Sequence, residues 1–326
     1  MQRYILRRAI LMVPTLVGVT LLVFLAVRVF LPGDVIQIVA GTNAVITDEV
    51  RQEIKKELGL DRPYYEQYWD WISGVFRADL GESLYTHTSV AAEMKTRWPV
   101  TVELGLLALM VSLSISLPVG ILAAVRQDSL LDYIARSTAI GFLAIPGFWL
   151  GTLVVVLSAK WWGVATPSQY VDLWVDPGQN LKIMLFPFGK FVPVGPAVIL
   201  GIGMSGTVMR LTRAQMLEVL RQDYIRTAWS KGLRERTIVT RHAIRNAFIP
   251  VVTVVGLQLP FVLSGSIIME TIFNIPGMGR FLVTALANLD YPSIQAINLL
   301  LASMVVASNL LVDVAYSMLD PRVRYA

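Results

Sequence analysis

Long uncharged runs alternate with charged segments along this chain. Six runs lack Asp, Glu, Lys and Arg and hold 19, 22, 23, 19, 23 and 22 residues: 9–27, 104–125, 137–159, 191–209, 247–269 and 291–312. A helix rising 1.5 Å per residue crosses the roughly 30 Å hydrocarbon core of a bilayer in about 20 residues. In lipid the backbone must satisfy its own hydrogen bonds, which a helix does. The pattern therefore predicts an all-α membrane protein with six transmembrane helices.

Composition agrees with this interpretation and removes several kinds of chemistry. The 326 residues are 55% hydrophobic and only 16% charged, whereas soluble domains are about a quarter charged. The absence of cysteine excludes disulfides, thiol nucleophiles and Cys-ligated metal sites. The two histidines, His87 and His242, leave little for a metal centre.

The distribution of Lys and Arg predicts the orientation of the spans. Sixteen of them fall in the termini and loops on one side, and four fall in the short loops on the other. By the positive-inside rule, both termini are cytoplasmic. The first run is too long for the apolar part of a signal peptide, so we expect it to be a span. Acidic membrane lipid explains the basic loops, and nucleic acid is not needed as a partner.

The predicted organisation has three parts. Residues 1–30 form the cytoplasmic N-terminus and first span, 31–98 an external helical segment, and 99–326 a five-span core whose cytoplasmic loop covers 210–246. In the external segment, Thr47 can cap a helix that stops at Gly59. A second helix, about 64–76, carries an aromatic face that would lie on the membrane surface or dock an extracytoplasmic partner.

The long cytoplasmic loop contains the clearest local signal. Asp223 is a suitable N-cap and Gly232 a suitable residue to end a helix of about two turns, with a second helix from near Arg234. A helix this short is not stable alone in water. It needs a surface to pack against, which points to a protein partner on the cytoplasmic side.

These residues resemble the permease subunits of binding-protein-dependent ABC importers, in the branch that takes up dipeptides and oligopeptides. That family carries Glu-Ala-Ala-x-x-x-Gly in this loop, and alignment on Gly232 places Arg226, Thr227 and Ala228 at the Glu-Ala-Ala positions. Arg226 replaces an acidic residue, and Pro250 follows the glycine at 18 residues; the longer spacing resembles the peptide branch. Further similar stretches are 58–63, 78–83, 273–280, 290–292 and 319–325.

The resemblance implies a type I ABC importer fold and a set of partners. These are a second homologous permease, one or two ATP-binding subunits that carry ATP and Mg²⁺, and an extracytoplasmic substrate-binding protein, in a bacterial or archaeal cytoplasmic membrane. In the family, the loop helix lies in a cleft of the ATPase and transmits its motion. By resemblance this coupling role falls to Arg226, Thr227, Ala228 and Gly232, with Asp223 at the start of the helix; we expect Ala228 to face the cleft.

The chain itself offers no energy source and no catalytic arrangement. No G-x-x-x-x-G-K-[ST] phosphate loop occurs, and no acid–base or nucleophile motif has the required spacing. We therefore expect a transport subunit without a cofactor of its own, not an enzyme.

Few polar residues interrupt the predicted spans. Gln258, Asn298 and Asp313 are candidates for lining a pathway, although Gln258 and Asn298 could equally hydrogen-bond helix to helix and Asp313 could pair near the interface. Pro146 and Pro260 can kink their helices. Recurring small residues predict close helix packing: Gly141, Gly147, Gly151, Gly201, Gly203, Gly206, Gly256 and Gly265.

Other functions stay open at this stage. An ion-coupled secondary transporter would need no ATPase, but it would be expected to show internal repeats and ionisable groups near the midplane, which are absent here. A membrane scaffold would not need the long basic loop. Within the ABC class, the substrate could also be a nickel chelate, glutathione or an oligosaccharide.

Overall fold

A computed structural model describes residues 2–30, 47–57, 59–164, 169–187, 194–264 and 267–319. Its α-helices are α1 (Gln2–Leu25), α2 (Asp48–Glu57), α3 (Tyr64–Phe76), α4 (Val90–Val125), α5 (Leu130–Ala144), α6 (Gly147–Trp162), α7 (Pro177–Leu185), α8 (Pro196–Leu220), α9 (Asp223–Ser230), α10 (Glu235–Thr237), α11 (Ile244–Gly256), α12 (Leu259–Ser264), α13 (Ile267–Ile272), α14 (Met278–Ala287) and α15 (Tyr291–Leu319). Two π-helical segments, Ala26–Phe30 and Ile238–Ala243, follow α1 and α10. The predicted all-α architecture is confirmed.

Four continuous stretches among the described residues are long and apolar enough to cross a membrane. They are Ile10–Arg28, Val90–Val125, Glu235–Gly256 and Tyr291–Val312. The predicted span 137–159 is not straight, because α5 and α6 meet at 88°. Pro146 lies at this bend, and the residue before a proline is forced out of the helical region; Ile145 is accordingly extended, with φ −92° and ψ 119°.

The fourth and fifth predicted spans also differ from the structure. Residues 191–193 lie outside the described part, and α8 extends well beyond the predicted end at residue 209, to Leu220. The run 247–269 is not one helix: α11 ends at Gly256, and two short helices, α12 and α13, follow it. Continuous helix instead reaches back to Glu235. Apolarity along the chain therefore overestimated the length of unbroken helix here.

Helix α4 organises the core. Its Val90 and Met94 belong to an apolar cluster with α14 and α15, which we call the cap end; α3 lies beside the start of α15 there. Its Ala124 belongs to a second cluster with α8, α9 and α11, which we call the coupling end. The most extensive helix contact in the described structure is between α4 and α8.

Small residues allow this contact, as the sequence predicts. A Cβ added at Gly201 of α8 would lie 2.7 Å from the Ala108 carbonyl oxygen of α4. One added at Gly206 would lie 2.8 Å from the Ala139 carbonyl oxygen of α5. Gly151 and Gly256 also lie against neighbouring side chains, whereas Gly141, Gly147 and Gly203 have open space, so close packing is not their reason. Gly265 lies outside the described residues.

The segment that the sequence predicts to be external contains the two predicted helices, α2 and α3. The Tyr68 hydroxyl of α3 is 2.9 Å from Thr20 Oγ1 of α1, and its ring lies 5.5 Å from that of Phe24. Tyr65 and Trp69, also on the predicted aromatic face, are exposed. One part of that face therefore fixes α3 to α1, and the other part stays on the surface.

Candidate functional site

The short helix α9 is the centre of the predicted coupling site. Gln222 precedes it in an extended conformation, so Asp223 is the first helical residue and not the N-cap that the sequence predicts. The helix stops where predicted: Gly232 has a φ of +73°, a conformation that glycine adopts without steric cost. The Leu233 amide donates to the Ala228 carbonyl at 3.4 Å, which is the longer bond of a Schellman motif.

One face of α9 is buried by this chain itself. Ile225 and Ala228 are 0% and 7% exposed, and they cluster with Met216 of α8 and with Ala243 and Ala247 after the reversal. The expectation that Ala228 faces a cleft in a partner is therefore wrong. A two-turn helix is unstable in isolation, and contact with the rest of its own chain already supplies the missing stabilisation.

The opposite face of α9 is exposed and polar. Asp223, Arg226, Thr227 and Ser230 follow one another at helical spacing, and all four are exposed. Arg226 Nη1 lies 3.5 Å from Asp223 Oδ1, and the two side chains are 76% and 96% exposed. Exposed ion pairs contribute little to stability, so both charges are available to a partner. We call these four residues the α9 outer face.

A direct linkage joins α9 to the membrane helices. Asn246 Nδ2 of α11 donates to the Tyr224 hydroxyl of α9 at 2.8 Å. Helix α10, the π-helical segment and α11 run without interruption from Glu235 to Gly256. This stretch connects the reversal after α9 to a helix that is long and apolar enough to cross a membrane.

A buried ion pair supports the coupling end, and the sequence analysis missed it. Asp132 of α5 is 0% exposed, and its two oxygens accept from Arg213 Nε at 2.6 Å and Arg213 Nη2 at 2.7 Å. The Asp128 amide also donates to it at 3.0 Å. This two-point geometry suits guanidinium and carboxylate. Asp132 precedes the third uncharged run and Arg213 follows the fourth, and only folding shows that they meet.

At the cap end, two of the stretches that carry the family resemblance contact each other. Ser83 Oγ donates to Asp290 Oδ2 at 2.6 Å, and the Leu84 amide donates to Asp290 Oδ1 at 3.0 Å. Asp290 is 2% exposed. The stretch 78–83 is thereby fixed to the residue that precedes α15, so these motifs have a structural role in joining the external segment to the core.

The stretch 273–280 is held in a similar way. Glu270 is fully buried, and its carboxylate accepts from Thr101 Oγ1 at 2.8 Å and from the Arg280 amide at 3.0 Å. Thr101 Oγ1 in turn accepts from the Met278 amide at 2.8 Å. A Cβ added at Gly277 would lie 2.5 Å from the Glu270 carboxylate. A carboxylate at the first turn of α14 stabilises that helix, and it ties α13 and α14 to α4.

Two of the three pathway candidates, Gln258 and Asn298, make hydrogen bonds to backbone carbonyls. Gln258 lies in the break between α11 and α12, and its Nε2 donates to the Met204 carbonyl of α8 at 3.3 Å. Asn298 Nδ2 donates to Ile294 one turn earlier in α15, at 2.8 Å. The side chain of Asp313 lies outside the described part. No group of three or more acidic or histidine side chains that could hold a metal is found in the residues described.

Comparisons with known proteins agree with this arrangement. Residues 116–325 match the model of the binding-protein-dependent transport system inner membrane component, and residues 1–105 match that for the N-terminal part of such membrane components. The dipeptide transport system permease protein DppB of Escherichia coli strain K12 is 40% identical, with 100% of this chain and 99% of that protein aligned. The di/tripeptide transport system permease protein DppB of Pseudomonas aeruginosa strain UCBPP-PA14 is 38% identical over the same shares. This chain therefore belongs to the family of inner membrane components of binding-protein-dependent transport systems.

Proposed function

We propose that this chain is a membrane-spanning permease subunit of an ATP-driven importer for short peptides. With a second homologous permease it encloses the pathway, and an extracytoplasmic binding protein delivers the substrate. Two curated relatives, aligned over 99% of their length, are named as dipeptide and di/tripeptide permeases. Their names favour peptides over nickel chelates, glutathione or oligosaccharides. ATP and Mg²⁺ bind to one or two kinds of partner subunit, because this chain lacks a phosphate loop.

The α9 outer face is the proposed contact for the ATPase. The main support for this proposal is that α9 has two different faces. One face packs against the rest of this chain, and the other is polar and exposed. Asp223, Arg226 and Thr227 then meet the partner, Ala228 anchors the helix from behind, and Gly232 sets the reversal that connects α9 to α10 and α11.

The proposal is tested by enlarging one exposed threonine. Thr227 of α9 and Thr240 of the π-helical segment are both exposed, and each hydroxyl donates to the carbonyl four residues earlier. In proteoliposomes with all subunits, Thr227→Trp should abolish peptide-stimulated ATP hydrolysis, because overpacking at a fitted interface is costly. Thr240→Trp is the matched control and should retain hydrolysis.

Each alternative has a distinct outcome in the same preparation. Peptide uptake without ATP, driven by an ion gradient, would contradict the importer assignment in favour of a secondary transporter. Equal loss of hydrolysis in both threonine variants would show general damage to the loop and remove the support for α9 as the contact. A working transporter with one copy of this chain as its sole membrane component would contradict the second permease.

Six spans with both termini in the cytoplasm remain part of the proposal. The bent pair α5–α6 would be the third span, α8 the fourth, and α11 with the short helices after it the fifth. Because the chain has no cysteine, single-cysteine variants can report sidedness without further changes. Ser230→Cys should react with a membrane-impermeant maleimide only from the cytoplasmic side, and the exposed Thr86→Cys only from the opposite side. Reaction of both from one side would contradict this topology.

A further inference from the structure

A cavity of about 270 Å³ with charged and amide side chains in its wall opens at the cap end, away from the coupling site. It lies between the π-helical segment Ala26–Phe30 that follows α1, helix α3, the stretch 79–81 and the start of α15. The side chains in its wall that are charged or carry an amide are Arg28, Gln67, Asp70, Asp79 and Gln295. None of these five side chains takes part in the α9 outer face or its support.

Three of these side chains carry a buried polar atom without a hydrogen-bond partner among the described residues. Gln295 is 2% exposed and its Nε2 is unpaired, and Gln67 is 8% exposed and its Oε1 is unpaired. The Nε of Arg28 is the third such atom. Buried polar groups are nearly always hydrogen-bonded in proteins. Three unpaired atoms in the wall of one cavity therefore point to a bound molecule.

The charges of the wall define the chemical class of that molecule. Arg28, which lies over the Tyr291 ring at 5.6 Å, and the Gln295 amide donate hydrogen bonds to an anionic group. Asp79 offers a carboxylate, and the free oxygen of Gln67 accepts. The Asp70 carboxylate already pairs with Arg62, at 2.9 Å. A simple anion would be repelled by the Asp79 carboxylate, and a simple cation would be repelled by the Arg28 guanidinium. The wall therefore suits a zwitterion, with an oxyanion near Arg28 and an ammonium near Asp79.

The cavity lies at the end of an apolar, lipid-length helix. Arg28 closes the stretch Ile10–Arg28. Ile10, Val17 and Leu21 are exposed. The intervals from Ile10 to Val17, to Leu21 and to Arg28 are seven, four and seven residues. Positions at such intervals lie on one face of a helix. An apolar strip thus leads along α1 to the guanidinium. Hydrocarbon chains against this strip would bring a phosphate to Arg28.

We propose that this cavity binds the head group of a phospholipid of the phosphoethanolamine type. The phosphate accepts from Arg28 and Gln295, and the ammonium donates to Asp79. The inference rests on the proposed function only for the leaflet, which is the extracytoplasmic one if the cap lies outside. Binding of lipid is measured without the ATPase, so failure of this inference and failure of the transport proposal are distinguishable.

The test uses the full chain, purified, delipidated and exposed to detergent micelles with equal amounts of palmitoyl-oleoyl phosphatidylethanolamine and phosphatidylglycerol. Native mass spectrometry then counts the lipids retained. The unmodified chain should retain phosphatidylethanolamine in preference to phosphatidylglycerol. Arg28→Gln should lower that retention at least about tenfold, because a charge-assisted hydrogen bond to phosphate is lost. Arg77→Gln is the matched control, exposed at the end of α3 and outside the cavity wall.

A second variant, Asp79→Asn, tests the proposal independently in case Arg28→Gln does not fold. Asp79→Asn keeps the oxygen that accepts from the Gly81 amide at 2.9 Å but removes the charge. It should lower the preference for phosphatidylethanolamine over phosphatidylglycerol about tenfold without reducing phosphatidylglycerol retention. Two results would overturn the proposal: equal retention of both lipids by the unmodified chain, or calorimetric binding of alanyl-alanine that Arg28→Gln abolishes, which would assign the cavity to a soluble zwitterion.

Discussion

The α9 outer face at the coupling end and the buried carboxylates at the cap end differ in how their charges are paired. At the coupling end, Asp223 and Arg226 pair loosely at 3.5 Å on an exposed surface. At the cap end, Glu270 and Asp290 are buried, and neutral hydroxyl and amide groups donate to their oxygens at 2.6–3.0 Å. Short hydrogen bonds to buried carboxylates fix neighbouring segments, whereas loosely paired surface charges leave a face free to be recognised.

The stretches that resemble the family have two different roles in this structure. The stretches 78–83, 273–280 and 290–292 contact one another or the core and stabilise the cap end. The stretch around Gly232 instead presents polar side chains to the outside. Similarity of sequence alone does not separate these roles, but the burial of the side chains does.

The largest effect is expected beneath the coupling end, from Asp132→Asn. This change leaves Arg213, whose side chain is 19% exposed, without its charged partner. Breaking one side of a buried ion pair costs about 3 kcal/mol or more, so the purified chain in detergent should unfold at a clearly lower temperature. Asp128→Asn, at an exposed neighbour, is the control. If Asp132→Leu combined with Arg213→Met were less stable than Asp132→Asn alone, the pair would not be the cause.

The next effect is expected at the cap end, from Thr101→Val. Valine keeps the shape of threonine but removes the oxygen that donates to Glu270 and accepts from the Met278 amide. Two buried groups lose a partner, at a cost of roughly 2 kcal/mol. Thr96→Val, exposed on the same helix, should leave the unfolding temperature unchanged. Equal shifts for both variants would contradict the role of this hydrogen-bond network.

A smaller effect on stability is expected from Gly232→Val. The φ of +73° is costly for a residue with a Cβ, by about 1–2 kcal/mol. The reversal after α9 should shift, so ATPase association measured by co-purification should fall more than the unfolding temperature does. Gly141→Val, at a helical position with open space around it, is the control. Retention of full substrate-stimulated hydrolysis in Gly232→Val would count against the coupling assignment.

The smallest effect on stability is expected from Arg226→Glu. Because the Asp223–Arg226 pair is exposed, its loss should not measurably change unfolding. Peptide-stimulated ATP hydrolysis should nevertheless fall if Arg226 meets a carboxylate of the ATPase, and a charge reversal of that carboxylate should restore part of it. Arg236→Glu changes an exposed arginine of the same loop and is expected to have no effect. If both variants showed the same rate of peptide-stimulated ATP hydrolysis, Arg226 would face solvent or lipid and not the ATPase.

Local signals in the sequence predicted local structure well. Thr47 and Gly59 indicated the limits of α2, and Gly232 indicated the end of α9. Such signals are local because capping and left-handed positions depend on neighbouring residues. Helix α7 was missed, although Asp176, which accepts from the Gln179 amide at 2.9 Å, and Pro177 are typical of a helix start. The external loop there lacks the periodicity on which the interpretation relied.

Longer-range features could not be predicted in the same way. The uncharged run 137–159 contains Pro146, but the sequence does not show that the helices on either side of it meet at 88°. A proline within an apolar run is compatible with a kink of any size. Ala228 has the small side chain that suits either a partner's cleft or a tight internal contact. The structure places it inside the chain, because Met216 and Ile238 are brought to that side of α9.

The sequence by itself determined that this is a helical membrane protein, where its short coupling helix ends, and to which family it belongs. These follow from apolar run length, turn chemistry and motif order, which are properties of neighbouring residues. Only the tertiary structure decided which face of α9 is free, that Asp132 meets Arg213 across 81 positions and that Thr101 meets Glu270 across 169. The physical reason is that burial and pairing depend on which distant segments pack together. The residues next to each partner in the sequence do not indicate that contact.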